Sequence, residues 1–191
     1  MAYLNSTYAS GADYFSVLAA SILPSNNWVV VKDIASEKVF RLPYGQGYIA
    51  LIISGDICEI QSFKTYNPAV SAKLQVGGYS STYTPFLPRV KIPAGAVEVW
   101  TVVNSRRVAA VIKSGGNWYS LYAGLMLPFG SNKVYPFPCF IGGSGEVGNA
   151  TYESAYPFFS GGDSYCPKVV LPDGMWQKVG GNAGGTSSFS S

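Results

Sequence analysis

The stretch that decides the fold is residues 97–145, VEVWTVVNSRRVAAVIKSGGNWYSLYAGLMLPFGSNKVYPFPCFIGGSG. Its opening alternates in character, which places Val97, Val99, Thr101 and Val103 on one face of a strand. Two more runs rich in β-branched and aromatic residues follow, each after a short turn of Asn, Ser or Gly; they span 106–113 and 118–127. This order predicts a meander of three antiparallel strands.

The first half of the chain predicts a second meander. Its runs are rich in β-branched residues and bounded by turn-forming residues; they span 28–34, 38–42, 48–53 and 57–63. A closing hairpin is predicted further on, where Pro172-Asp173-Gly174 separates 168–171 from 175–179.

A helix is predicted over residues 10–23. Ser10 and Asp13 form an S-x-x-D start, which resembles a capping box with the shorter acid. Pro24 is expected to end the helix, because proline restricts the residue before it. The apolar positions that share one helical face are Tyr14, Val17, Leu18 and Ile22.

These elements predict a mainly β protein, with an antiparallel β-sandwich or barrel-like sheets and one short N-terminal helix. We expect residues 1–179 to form a single domain and the Gly- and Ser-rich residues 180–191 to form a flexible tail. Residues 1–10, residues 64–88 and the tail are expected to be arms that become ordered on assembly.

The composition indicates a protein whose surface is covered in its working state. Charged residues make up 12% of the 191 residues, and aromatic residues make up 15%; the usual charged fraction is about 25%. Protein interfaces favour Tyr, Trp and Phe and exclude charge, so this balance favours a subunit of a larger assembly. The alternative is an ordinary Tyr- and Gly-rich β protein.

Aromatic residues in and after the deciding stretch form the candidate interface. Phe137 lies between two prolines, in a stiff extended segment that suits docking against a neighbour. The same rings suit stacking on a sugar, but Glu146 and Glu153 are the only acids between the first and last of them, few groups for holding hydroxyls. The candidates are Trp118, Tyr119, Tyr122, Tyr135, Phe137, Tyr152 and Tyr156.

Basic residues are unevenly placed, although the net charge of +3 is too small to indicate nucleic-acid binding by itself. Residues 60–113 contain several Lys and Arg against Glu98 alone. Arg106, Arg107 and Lys113 are the candidate basic face, directed at DNA or at an acidic partner subunit. The alternative is that these side chains are spread over several strands and solvated, since no clustered run of Lys or Arg is present.

Enzymatic chemistry is disfavoured by the sequence. The chain has no His, which excludes His-based triads, Cys–His pairs and imidazole metal sites. No cofactor or metal is expected, while a carboxylate pair brought together by the fold stays open. Residues 143–148 match G-x-G-x-x-G, but the helix that a dinucleotide site needs does not follow, so a Gly-rich loop is predicted there.

The cysteines and the apolar runs bear on the compartment. Cys58, Cys139 and Cys166 are an odd number without a C-x-x-C pair, and they are predicted to be reduced thiols in a protein made in the cytosol. The longest apolar run near the start, residues 14–23, is half of the about 20 residues that a membrane span needs. No membrane segment is therefore expected.

The deciding stretch resembles a segment of structural proteins from tailed-bacteriophage virions. The similar pieces are Arg106-Arg107, the aromatic strand 119–124 with Leu127-Pro128, Tyr135-Pro136-Phe137-Pro138 and Gly142-Gly143-Ser144. The resemblance implies a neck or collar, tail or baseplate component that assembles in rings without catalysis. It further implies synthesis in the host cytoplasm and a final place in the virion.

We therefore expect a virion structural subunit whose partners are copies of itself, in a homo-oligomeric ring, and adjoining virion proteins. The aromatic residues keep an alternative open, a carbohydrate-binding or host-contact module of a phage tail.

Overall fold

Two antiparallel sheets form the described part of the protein. A computed structural model gives the fold, and the structure describes residues 2–45, 47–75, 89–125, 139–144, 168–170 and 176–178. Its strands are β1 (Ala2–Tyr8), β2 (Val29–Ile34), β3 (Glu37–Arg41), β4 (Tyr48–Ser54), β5 (Ile57–Phe63), β6 (Arg89–Lys91), β7 (Val97–Val103), β8 (Arg107–Ser114), β9 (Asn117–Leu125), β10 (Cys139–Ser144), β11 (Lys168–Val170) and β12 (Trp176–Lys178). Among these residues, the larger sheet has the order β1-β7-β8-β9-β10-β11-β12, and the smaller has the order β2-β3-β4-β5-β6.

Both predicted meanders are confirmed, as is the fold class. In the first, Thr101 of β7 pairs with Ala110 of β8, which pairs with Leu121 of β9. The alternation predicted for the first strand is present, since every second residue from Val97 to Val103 is buried. The second meander is β2 to β5, and the closing hairpin is β11 with β12.

The core lies between the inner faces of the two sheets. The smaller sheet contributes fully buried side chains such as Phe40, Leu51 and Ile60, and the larger contributes Ile112 and Leu121. Each such side chain contributes about 1.5–3 kcal/mol when it is buried. The period-two pattern of the strands is therefore what brings the sheets together as a sandwich.

A helical segment closes one side of the sandwich, with α1 (Gly11–Val17), a π-helical turn (Leu18–Ile22) and α2 (Leu23–Ser25). The predicted cap is confirmed, because Ser10 Oγ accepts from the Asp13 amide at 3.2 Å and donates to the Asp13 carboxylate at 2.8 Å. The predicted end at Pro24 is wrong. The helical segment is continuous from Gly11 to Ser25, so it runs one residue past the proline.

Residues 2–8 are not a free arm as expected. They form β1, and they pair along their whole length with β7, from Ala2 opposite Val103 to Tyr8 opposite Val97. The strand is polar for the physical reason that it lies at a sheet edge, where less of its surface must be buried. The expected tail, residues 180–191, lies outside the described residues.

Residues 64–75 are here called the covering segment. They pack on the side of the smaller sheet that faces away from the larger sheet, instead of extending as an arm. Ala72 lies in a short 3₁₀ turn and is buried with Val39, Ala50, Ile52 and Phe63 in a second apolar cluster. The Gln75 side chain accepts a hydrogen bond from the backbone N–H of Asn67 at 2.7 Å and donates one to the backbone carbonyl of Asn67 at 2.8 Å. These bonds fold the segment back on itself and satisfy its backbone polar groups. The segment can therefore be irregular and still pack against the sheet. Residues 76–88 lie outside the described part.

The predicted Gly-rich loop is corrected at its start, because Gly143 and Ser144 belong to β10. A Cβ atom on Gly143 would lie 2.3 Å from the carbonyl oxygen of Arg89 on β6. This glycine therefore permits the close approach of the two sheets. Residues 145–148 lie outside the described residues.

Two further sequence expectations concern the membrane and the thiols. Among the described residues, no helix has the length and apolar character needed to cross a membrane. Cys58 is a buried free thiol, and burial raises its pKa. Cys166 lies outside the described residues.

Candidate interaction surface

The candidate site is the solvent side of the larger sheet, here called the outer face, as far as it is formed by β1, β7, β8 and β9. Alternation along each strand sends every second side chain to this side. Solvated faces of antiparallel sheets are commonly polar. Much of this face is apolar instead; the residues concerned are Tyr3, Trp100, Val102, Ala109, Val111, Trp118 and Tyr122.

Two tryptophans stack on the outer face, Trp100 on β7 and Trp118 near the start of β9. The rings of Trp100 and Trp118 stack with their centroids 5.6 Å apart and their planes at 22°. Trp118 is 55% exposed, and the neighbouring Val111 is 40% exposed. A stacked pair of large rings is thus held open to solvent, although burial of either ring would be favourable.

The strand register brings these rings together. Trp100 on β7 pairs with Val111 on β8, and Trp118 on β9 pairs with Lys113 on β8. The tryptophans therefore stand on the two strands that flank β8, about 10 Å apart. A centroid separation of 5.6 Å requires both rings to lean over β8.

The charged side chains of the outer face are Glu98 and Lys113, in the row of Trp118, and Arg107, at the start of β8. Lys113 Nζ lies 5.4 Å from the centre of the Trp118 ring, within the range of a cation–π contact. The same Nζ lies 3.9 Å from the Glu98 carboxylate. Both side chains are about 40% exposed, so the pair is weakly stabilising and leaves the local charge balanced.

The candidate interface residues divide into three groups. Trp118 and Tyr122 lie on the outer face, as a docking surface requires. Tyr119 lies on the opposite side of β9 and is 4% exposed, so it belongs to the core and is corrected here. The remaining candidates lie outside the described residues; they are Tyr135, Phe137, Tyr152 and Tyr156.

The basic candidates do not gather into a cluster. Arg107 and Lys113 share a side of β8, but six residues separate them, which is about 20 Å along a strand. Arg106 lies in the turn before β8. The expected single basic face is therefore not formed by these three residues.

Two buried carboxylates on the smaller sheet are the candidates for the catalytic carboxylate pair that the sequence left open. Glu37 and Glu59 each pair with Ile52, from its two sides, so they lie about 10 Å apart in one row. Lys32 Nζ lies 2.9 Å from Glu37, and Glu59 contacts Lys73 and Arg89. Glu37 also accepts from the Ala72 amide at 3.2 Å.

Both carboxylates therefore hold cations of this chain and fasten the covering segment to the sheet. Their arrangement is that of structural ion pairs. In the described ranges, no group of three or more Cys, Asp or Glu side chains is placed to hold a metal ion.

The fold and the surface together define an antiparallel two-sheet β protein that carries an aromatic patch on one sheet face. No protein-family model matches the chain, and a search of the curated proteins finds no relative.

Proposed function

We propose that this protein is a structural subunit of a tailed-phage virion, in the neck or collar, the tail or the baseplate, and that it assembles by burying its outer face. The observation that carries the proposal is the stacked pair of Trp100 and half-exposed Trp118 on a largely apolar sheet face. The resemblance of residues 97–145 to virion structural proteins supports the same role.

The chemistry of the outer face suits a protein partner. Tryptophan is enriched among the residues that dominate interface energies, and such residues cluster at the centre of a patch. Around the rings, Val111 and Val102 supply apolar area, and the Glu98–Lys113 pair lies beside Trp118 at one end of the face. An apolar centre with a polar rim is the usual arrangement of an interface.

The test measures the mass of the protein in solution and its presence in particles. We expect the wild-type chain to be a homo-oligomer by light scattering and to be found by mass spectrometry in purified particles of the virus that encodes it. Trp118→Lys should shift the oligomer toward monomer, because it removes the ring that stacks on Trp100 and adds a charge to the buried patch.

A matched control is available on the other sheet. Leu74 on the covering segment is 71% exposed, and Leu74→Lys adds the same charge far from the outer face. The control should keep the wild-type mass. A monomeric wild-type protein that is missing from particles would overturn the proposal.

A second candidate function, carbohydrate binding or host contact on a phage tail, is favoured by one observation. The exposed ring of Trp118 is a flat apolar surface, and the polar side chains of Asn5 and Ser120 lie in the row of Trp100. Aromatic platforms edged by hydrogen-bonding groups suit sugars. Glycan-array binding that Trp118→Ala abolishes and Leu74→Ala preserves would favour this function over subunit docking.

A further inference from the structure

We propose that an open cleft at one end of the smaller sheet binds a small organic acid, a carboxylate carried on a short apolar chain. The cleft lies where β2 begins and β3 ends, so it is a different surface from the outer face. Its volume is about 460 Å³, within the range of small-molecule sites. The residues that line it are Asn27, Val29, Arg41, Leu42, Pro43 and Gly45.

Arg41 is the charged group of the cleft. It is exposed and is the last residue of β3. Its neighbours directly across the sheet are Val29 and Tyr48, and neither carries a negative charge. Within the described ranges, no carboxylate forms an ion pair with Arg41, whereas Lys32 and Lys38 of the same sheet are both paired. The guanidinium is therefore available to an anion from solution.

The cleft lies at a basic end of the sandwich. Arg41 shares its row with Phe63, which Lys64 follows in the chain. Trp28 Nε1 donates to the Asn104 carbonyl at 2.8 Å, which brings the turn that carries Arg106 to the same end.

The acids of the described residues lie toward the other end of the sandwich. Glu37, for example, precedes Arg41 by four residues on β3, which is about 13 Å along a strand. The positive potential at the cleft therefore attracts anions. The described acids are Asp13, Asp33, Glu37, Asp56, Glu59 and Glu98.

Asn27 supplies a second polar group. The Trp28 amide donates to the Leu23 carbonyl at 3.2 Å, and the Asn27 amide donates to the Pro24 carbonyl at 3.1 Å. With a φ of 67° at Asn27, this is the helix cap in which glycine or asparagine takes the left-handed conformation. The cap fixes the backbone and leaves the Asn27 side chain exposed, where its NH₂ group can donate to a carboxylate oxygen.

The composition of the cleft selects a carboxylate with an apolar chain. The two oxygens of a carboxylate match the fork of a guanidinium, and its single charge is balanced by one arginine. A phosphate group carries nearly two charges, which Arg41 alone would leave half balanced. Beside Arg41, the apolar side chains of Val29, Leu42 and Pro43 provide a wall for the carbon chain.

The test follows binding of sodium 4-methylpentanoate at about pH 7 by saturation-transfer difference NMR. The method reads the signal of the probe, so it works whether the chain is a monomer or an oligomer. We expect a dissociation constant of about 1 mM, since one exposed ion pair is weak and the apolar contact is small. The neutral 4-methylpentanamide, and acetate without the branched chain, should each bind at least about fivefold more weakly.

Variants of the cleft separate the carboxylate site from general attraction to positive charge. Arg41→Gln should weaken binding at least about tenfold. Val29→Glu places a carboxylate directly opposite Arg41, where it should occupy the guanidinium and weaken binding to a similar extent. Lys91→Gln, which removes a positive charge from β6 beside Ile57 at the other end of the sheet, is the matched control and should keep the wild-type affinity.

Circular dichroism first confirms that each variant is folded. Equal affinity of Arg41→Gln and the wild type would overturn the site, and so would equal binding of the acid and its amide. Inorganic phosphate that displaces the probe at the probe's own dissociation constant would overturn the assignment to carboxylates. Absence of saturation transfer at roughly ten times the expected constant would also overturn the proposal. None of these outcomes depends on the mass of the protein, so the proposed function would stand or fall separately.

Discussion

Tyr14 Oη and Thr101 Oγ1 lie 3.0 Å apart in the interior, although 87 residues separate them in the chain. The Tyr14 side chain is 0% exposed and Thr101 is 1% exposed. Either hydroxyl can donate, and the bond joins α1 to β7. It therefore couples the helix that closes the side of the sandwich to the first strand of the deciding meander.

Tyr14→Phe should lower the free energy of unfolding by about 1–3 kcal/mol, because it leaves the buried Thr101 hydroxyl without this bond. Thr101→Val should cost a similar amount for the converse reason. The double variant should cost clearly less than the sum of the two, since both polar groups are then removed. Urea denaturation of the four proteins measures this coupling. Strictly additive losses would show that the contact contributes nothing.

Stability should fall at alkaline pH. Burial raises the pKa of the Tyr14 hydroxyl and of the Cys58 thiol. In the unfolded chain these groups ionise near about 10 and about 8.5. Below about pH 8, both groups keep their protons in the folded and in the unfolded chain, so their contribution to the free energy of unfolding is fully present. Above those values the unfolded chain loses protons that the folded chain keeps, so stability falls by up to about 1.4 kcal/mol per pH unit for each group.

The contributions of the Cys58 thiol and the Tyr14 hydroxyl can be distinguished by the pH at which the loss of stability begins. Cys58→Ala should reduce the slope of the unfolding free energy from about pH 8.5 upward, and Tyr14→Phe should reduce it only above about pH 10. Tyr3→Phe, at a ring that is 64% exposed, is the matched control for the tyrosine. A profile that keeps its slope in both core variants would contradict the assignment.

Local sequence patterns were sufficient to predict the interior strands. They failed for residues whose structure depends on a partner that is distant in the chain. β1 was expected to be an arm because AYLNSTY is polar and its partner β7 lies some 90 residues away. Gly143 was predicted to lie in a loop because the G-x-G-x-x-G match of residues 143–148 is not followed by the helix of a dinucleotide site. The close approach to Arg89 that calls for a glycine exists only once the two sheets are packed together.

The aromatic patch, too, could be predicted only in part from the sequence. Period-two alternation already places Trp118 and Tyr119 on opposite faces of one strand, so a single surface holding both was inconsistent with the predicted strand. The same alternation puts Trp100 on the strand face opposite Val99 and Thr101, but it does not join Trp100 with Trp118. Their meeting depends on the register of both with β8, which no spacing in the sequence specifies.

Gly143→Ala should destabilise the fold through the contact between the sheets. The new methyl group would lie 2.3 Å from the Arg89 carbonyl oxygen, which is backbone of the facing strand and cannot rotate away. Forcing the sheets apart should cost about 1–3 kcal/mol in chemical denaturation. Gly116→Ala is the control, because a Cβ there meets nothing within 4 Å, and it should stay within about 0.5 kcal/mol. Equal losses in the two variants would contradict the close-approach explanation.

Glu59→Gln should loosen the covering segment more than it weakens the rest of the fold. The Glu59 side chain is 8% exposed and binds Lys73, in the covering segment, and Arg89, on β6. Its neutral replacement removes the negative charge that lies between these two cations. Because Lys73 is half exposed, we expect a loss of about 1–3 kcal/mol, below that of a fully buried pair.

The measurement that separates local from global effects is hydrogen exchange. Amides of residues 64–75 should exchange faster in Glu59→Gln at denaturant concentrations that leave β7–β9 protected. Glu98→Gln breaks the exposed pair with Lys113 and should change the free energy of unfolding by less than about 0.5 kcal/mol, with no change in exchange of the covering segment. If exchange rises equally in the sheets and in the segment, Glu59 stabilises the whole sandwich and is not a fastening for this segment.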